Sequence, residues 1–204
     1  MAGFFVMIEG IDGSGKSVLA QAIAQKLKAQ NREVLLTKEP GGSDLGKHLR
    51  AMLQKQPVPI SGKTEFLLFA ADRAHHYETI IKPALERGAI VISDRGPDSS
   101  LAYQSYGRGV DKDMIERVNQ WATLNINPDI ILYVRVDIDV ACKRFADRGK
   151  VLTTFEKEQK DFWQRVSQGY ETMYAGRTDV AFIDGNQNKQ AVLDSALACH
   201  PTWG

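Results

Sequence analysis

Cysteine is scarce in this chain: only Cys142 and Cys199 occur among 204 residues. Their spacing fits neither a metal site nor a disulfide framework, which sets aside the small stapled secreted class and leaves both expected as packed small apolar residues. No apolar run reaches the length of a membrane span, and no basic N-terminal region leads into an apolar signal segment. A reducing cytoplasm is the expected location. Charge of one sign is lacking too, with 26 Lys and Arg against 25 Asp and Glu. Neither nucleic acid nor a membrane is therefore expected as a partner held by bulk electrostatics. Repeats, low-complexity tracts and linkers are absent, and this length suffices for one domain with a real core.

What is present is an alternation. Apolar strand candidates fall at Phe4–Glu9, Glu33–Thr37, Ala89–Asp94, Asp129–Val136 and Val180–Ile183. Helical spacing separates them, first at Leu19, Ile23 and Leu27 and then over Thr64–Arg87, Lys112–Leu124, Ile138–Arg148, Lys157–Tyr174 and Gln190–Ala198. Strands alternating with helices predict an α/β fold: a five-stranded parallel sheet flanked by helices in three layers, with ligands at the carboxyl ends of the strands.

The first strand leads directly into Gly10-Ile11-Asp12-Gly13-Ser14-Gly15-Lys16-Ser17, a complete G-x-x-x-x-G-K-[ST] phosphate loop. Its fixed positions should arise by chance in roughly one chain in a hundred of this length, and the strand before and helix after lower that further. Gly10, Gly13 and Gly15 let the backbone wrap a polyphosphate with its amides inward at the positive end of a helix. Lys16 adds a cation toward the β- and γ-phosphates, and the Ser17 hydroxyl suits the shell of a Mg²⁺ ion. The chain is expected to bind a nucleoside triphosphate.

Further along, an Asn-Lys-x-Asp segment that would read a guanine base is lacking: the strand before Asp137 runs into Asp137-Ile138-Asp139 instead. That argues against a GTP-binding switch. The third strand ends in Asp94-Arg95. An acidic residue there organises Mg²⁺ and its waters, and Arg95 beside it places a fixed cationic fork where two phosphates meet. Phosphoryl transfer asks for positioning and charge neutralisation above all, and these residues supply both.

Four ordered segments together resemble the thymidylate kinases (dTMP kinases), over most of the chain. They are Glu9–Ser17, Thr37-Lys38-Glu39-Pro40-Gly41-Gly42, Leu67–His76 on the long helix, and Asp94-Arg95 followed at family spacing by Ser99 and by Ala102-Tyr103-Gln104. The resemblance implies a single P-loop nucleoside monophosphate kinase domain with a short lid at about 143–156, converting dTMP to dTDP with MgATP, and a homodimer. It assigns Phe69 to stacking on the thymine ring and Arg73 to a base carbonyl. Positions i and i+4 face the same way on a helix, so ring and guanidinium can address one ligand. Tyr103 is assigned to crowding the sugar 2′ position, Asp12 to the region of the 3′-hydroxyl and the phosphates, and Arg50 to the monophosphate. Glu39, Pro40, Ser99, Ser100 and Gln104 complete the acceptor pocket. Lys16, Asp12, Arg95 and a lid residue, Arg148, form the catalytic set.

Two segments depart from the family pattern. After Arg95 the family usually places an aromatic or histidine, whereas this chain has Gly96-Pro97-Asp98. A glycine there either widens the pocket or reshapes a loop, which leaves another or a modified deoxynucleoside monophosphate open as acceptor. In the lid region, Thr153-Thr154 stand where the family often has Asp-Arg. Lys143 and Arg144 read as a charged helix face, with Arg144 still counted among the ATP-binding residues, and Arg148 is the expected lid contact. A weak lid leaves open a nucleotide-binding regulatory protein with little transfer activity.

Overall fold

The computed structural model describes residues 3–55, 58–147 and 158–200. Five strands, β1 (Phe4–Glu9), β2 (Val34–Lys38), β3 (Ile90–Asp94), β4 (Ile130–Arg135) and β5 (Val180–Asp184), form one parallel sheet in the order β2-β3-β1-β4-β5. Helices cover both faces, so β1 and β3 are apolar almost throughout rather than alternating. Successive residues of β1 point to opposite sides. Val6 and Ile8 pack with α1 (Lys16–Ala29) and α9 (Lys189–Ala198), while Met7 packs with α8 (Lys160–Tyr174).

The remaining helices are α2 (Asp44–Lys55), α3 (Gly62–His76), α4 (Lys82–Glu86), α5 (Pro97–Ser100), α6 (Lys112–Ala122) and α7 (Ile138–Asp147). The helix expected over Thr64–Arg87 exists but is not uniform: a π-helical stretch, Tyr77–Ile81, joins α3 to α4. Pro83 has no N–H to give the turn before it, and the widened turn lies just ahead of it. A second π-helical stretch, Leu101–Gly107, extends α5 and carries Tyr103 and Gln104. The helix α2 falls between two strands in a stretch for which periodicity gave no expectation. No helix among the described residues is long and apolar enough to cross a membrane.

The cysteines correct the first expectation in part. Cys142 is exposed, while Cys199 is half-buried and packs against the core cluster around α1 and α9. On α7 it is Ala141 that turns inward, and the next residue, about 100° further round the helix, faces outward.

Parallel pairing brings all five carboxyl ends to one edge. The register sets Ile8 beside Asp94 and Glu9 beside Tyr133, so the loop after β1 and the turn after β3 emerge side by side.

Candidate active site

One cleft of about 1120 Å³ lies along that edge, lined by Gly13–Ser17 at one end and by Phe69, Arg73, Ser100 and Gln104 at the other. The loop is glycine-dependent for a visible reason. Gly10 has φ 140° and a side chain there would meet the Val134 carbonyl at 2.5 Å; Gly13 has φ 81° and would meet that of Ala141 at 2.8 Å. The Lys16 ammonium donates to the Ile11 carbonyl at 2.8 Å. Burial, and after it the charge of Arg95, lowers its pKa to about 8. The Ser17 hydroxyl touches the Asp94 carboxylate. A hydroxyl and a carboxylate beside a phosphate loop are the hard oxygen donors that suit Mg²⁺, which takes few protein ligands and completes its shell with phosphates and water. Among the described residues there is no cluster of three or more His, Cys, Asp or Glu that could hold a metal by itself.

Arg95 stands between the two ends of the cleft. Its φ of 81° is a left-handed conformation, which costs a non-glycine residue about 1–3 kcal/mol and is retained where the surroundings enforce it. Here its N–H donates to the Ile8 carbonyl and its own carbonyl accepts from the Ser93 hydroxyl at 2.7 Å. The guanidinium is thereby turned back over the phosphate loop. It pairs with the Asp12 carboxylate, donates to the Tyr103 hydroxyl at 2.9 Å, to Ser99 Oγ at 2.9 Å and to the Gly10 carbonyl at 3.1 Å, and lies over the Tyr103 ring. Tyr103 also accepts from the Asp12 N–H at 3.1 Å.

Phe69 is half-buried at the far end of the cleft, near Arg73 as helical spacing requires. Arg73 is only 1% exposed and belongs to a buried network. Its Nε donates to Glu39 at 2.8 Å, and Glu39 also faces His76 Nδ1 at 3.1 Å. Burial pushes the Glu39 carboxyl up, but Arg73 and His76 pull harder and hold it below its ordinary value. Arg73 Nη1 donates to Ser100 Oγ. The Glu39–Pro40 bond is cis, and the Pro40 carbonyl accepts from Arg50 at 2.8 Å. Gln104 lines the cleft while its amide donates to Glu65 at 2.8 Å.

Four findings were not anticipated. Arg144 does not lie along a charged outer face: it turns in from α7 to the cleft and donates to the Gly13, Ser14 and Gly185 carbonyls at 3.1, 3.2 and 2.8 Å, bracing the phosphate loop. Gly96 leaves no vacancy, because a Cβ there would lie 2.0 Å from Met7 Sδ. Glu9, part of the loop motif but given no role by sequence reasoning, is completely buried. It accepts from the Gly96 N–H at 2.8 Å, the Ser99 hydroxyl at 2.6 Å and the Tyr170 hydroxyl at 2.9 Å. Burial raises its pKa to about 7 against the pull of Arg95. Asp72, also unforeseen, accepts from the Gly41 N–H, and burial followed by the charge of Glu39 raises its pKa to about 6. Arg148, Lys150 and Thr153-Thr154 lie outside the described residues.

A central strand that runs into a glycine loop, with one cleft extending from it along the same sheet edge, is the architecture of a P-loop nucleotide-binding enzyme. Comparison with known proteins narrows this. The family model described as Thymidylate kinase matches residues 8–196. The thymidylate kinase of an Exiguobacterium is 37% identical over 199 residues, covering 97% of this chain and 93% of its own. That of Halothermothrix orenii is 38% identical over 197 residues, with 94% and 93% covered, and that of a Synechococcus is 41% identical over 202, with 94% of each covered. The chain belongs to the thymidylate kinase family.

Proposed function

We infer that this protein transfers the γ-phosphoryl group of ATP to dTMP, giving dTDP and ADP, with Mg²⁺ as the accompanying ion. The observation that carries the reading is the position of Arg95, which links a phosphate loop to a pocket lined by Phe69, Arg73 and Tyr103 within one cleft. Ser17 and Asp94 would hold Mg²⁺, directly or through its waters, and the ion would supply charge neutralisation at the β- and γ-phosphates. Phosphate of the acceptor is already an anion at neutral pH, so no strong general base is required. The protein's task is to bring two anions together and neutralise them.

Lys16 and Arg95 provide the positive charge. A triphosphate brought against the Lys16 ammonium offsets the burial and the repulsion that depress it, so nucleotide binding and full charging of Lys16 go together. Asp12 orients Arg95 and faces the acceptor sugar, while Tyr103 occupies the space beside the 2′ position. Glu39, Pro40, Arg50, Ser99, Ser100 and Gln104 shape the acceptor pocket. Arg144 and the loop glycines hold the donor phosphates. The segment at about 143–156 serves as the lid of a single kinase domain, with Arg148 closing on the phosphates and excluding water.

The working unit is a homodimer in the cytoplasm, where both nucleotide substrates are available. In support, α2 packs on α3 and α3 on α6, and these three helices carry exposed Leu45, Met52, Leu67, Met114 and Trp121, the last 78% exposed. Exposed apolar side chains on neighbouring helices are the material of which a partner surface is made. Sedimentation of the wild-type protein and of Trp121→Asp tests this, the variant being expected as a monomer.

ADP release with MgATP and dTMP, dUMP, ribothymidine monophosphate, dCMP, dGMP or dAMP as acceptor tests the main reading. Strong preference for dTMP is expected. Preference for another member retains the kinase and overturns the thymine assignment, and acceptor-independent silence overturns the enzyme.

A further inference from the structure

A guanidinium has five N–H groups, and their disposition decides what Arg73 presents to a ligand. Four are committed within the protein: Nε to Glu39, Nη1 to Ser100 Oγ at 3.1 Å and to Asn119 Oδ1 at 2.7 Å, and Nη2 to the Gly96 carbonyl at 3.2 Å. One N–H of Nη2 has no partner among the described residues. Arg73 lines the cleft beside Phe69, so this remaining donor is the one a ligand there meets.

Asn119 holds the shortest of the Nη contacts. It comes from α6, is 4% exposed and does not line the cleft. Its amide is fixed at both ends: Oδ1 accepts from Arg73, and Nδ2 donates to the Pro97 carbonyl at 3.1 Å. Donor meets acceptor on each side, so a flipped amide would face two mismatches. Asn119 thus ties the arginine to the Gly96-Pro97 turn that follows β3 and fixes the roll of its planar fork.

We propose that Asn119 is a positioning residue for base selection, acting through Arg73: it holds the fork so that the remaining Nη2 N–H faces a carbonyl on the acceptor base. A base with an amino group at that edge would put donor against donor. Such a mismatch in a buried site costs far more than a missing contact. The inference rests on the dTMP reading above, in which thymine offers a carbonyl where cytosine offers an amino group.

The test compares wild type, Asn119→Leu and Asn119→Asp. Leucine has similar size and no polar atoms; aspartate keeps the acceptor toward Nη1. For each, kcat and KM are measured with dTMP and with dCMP in the same preparation, together with KM for ATP and the thermal midpoint. The ratio of kcat/KM for the two acceptors does not depend on the fraction of active protein. Asn119→Leu is expected to raise KM for dTMP about tenfold or more and to shrink the dTMP over dCMP preference about tenfold, with KM for ATP within about twofold of wild type. Asn119→Asp is expected to restore the preference to within about threefold. Should the leucine variant be too unstable to assay, Asn119→Ser, too short to reach Arg73, carries the same expectation. A preference unchanged in the leucine or serine variant, whatever happens to the thermal midpoint, overturns the role of Asn119 alone. A wild-type enzyme with no preference for dTMP overturns instead the functional reading beneath it.

Discussion

Gly96→Ala adds one carbon to the turn after β3, and its effect can be worked out from two distances. The new Cβ would stand 2.0 Å from Met7 Sδ and 3.3 Å from Met7 Cγ, where ordinary contact begins at 3.4 Å. Sulfur must therefore retreat by about 1.4 Å, the difference between 3.4 and 2.0 Å. The backbone itself contributes no penalty, because Gly96 has φ −164°, an extended conformation open to any residue. Met7 has little room to yield: it is buried on the face that holds Ala102, Tyr103, Ile131 and Trp163. Overpacking of this kind costs about 1–3 kcal/mol. Met7→Ala alone removes a buried side chain and should cost about 2–5 kcal/mol. With both substitutions the clash is gone, so the pair should lose less than the summed single losses by about the overpacking cost. Urea denaturation of the four proteins in the cycle measures this. Additivity within about 0.5 kcal/mol would refute the claim that Met7 occupies the place of a residue-96 side chain. The same cycle bears on the acceptor, since the Gly96 carbonyl accepts from Arg73. A shifted turn should raise KM for dTMP in Gly96→Ala and return it toward wild type in the double variant.

Arg144→Ala frees three carbonyls in and beside the phosphate loop; KM for ATP should rise about tenfold, from lost hydrogen bonds to a charged donor, with KM for dTMP unchanged in steady-state assays. For Glu9 the sign follows from burial: an ordinary carboxyl ionises near 4.5 and this one near 7, so the folded chain keeps a proton that the unfolded chain releases. The stability this group contributes is whole below about pH 4.5 and is lost as pH rises through about 7. Glu9→Gln stays neutral, so its thermal midpoint relative to wild type should climb between pH 5 and 8, by the equivalent of up to about 3 kcal/mol; a gap that stays flat over that range counts against the buried charge. Asp94→Asn should raise the Mg²⁺ concentration needed for half-maximal rate, read from a metal titration at saturating ATP, while leaving the dTMP preference of the residual activity intact.

Much of the fold was legible because it depends on local pattern. A continuous apolar run has few uses except as a strand covered on both faces, and Gly10–Ser17 states its loop geometry in spacing alone. The helix α2 went unread because only Gly46 and Leu53 are buried along it, too few to give a periodic signal. Site residues were legible to the extent that one motif contains them. Lys16, Ser17 and Asp94 come together at the carboxyl ends of the strands, as a parallel sheet predicts. What spacing could not show is which polar groups are consumed by the protein itself. Arg73 reads on a helix as a free guanidinium, yet most of its N–H groups are committed to partners as far as 46 positions away. Glu9 and Tyr170 are separated by 161 positions, and neither looks unusual alone. Arg144 looks like any helix arginine until the loop it braces is placed beside it.

The carboxylate beneath the phosphate loop has a consequence for the order in which the enzyme becomes complete during synthesis. Glu9 is made before its hydroxyl partners Ser99 and Tyr170, which lie 90 and 161 positions further along the chain. A buried carboxylate without those donors is costly to hold in place. A nascent chain that stops short of Tyr170 therefore carries the full glycine motif on a foundation that is not yet closed. The glycine motif alone is therefore not the finished nucleotide site: its base is closed only when α8 has packed against β1.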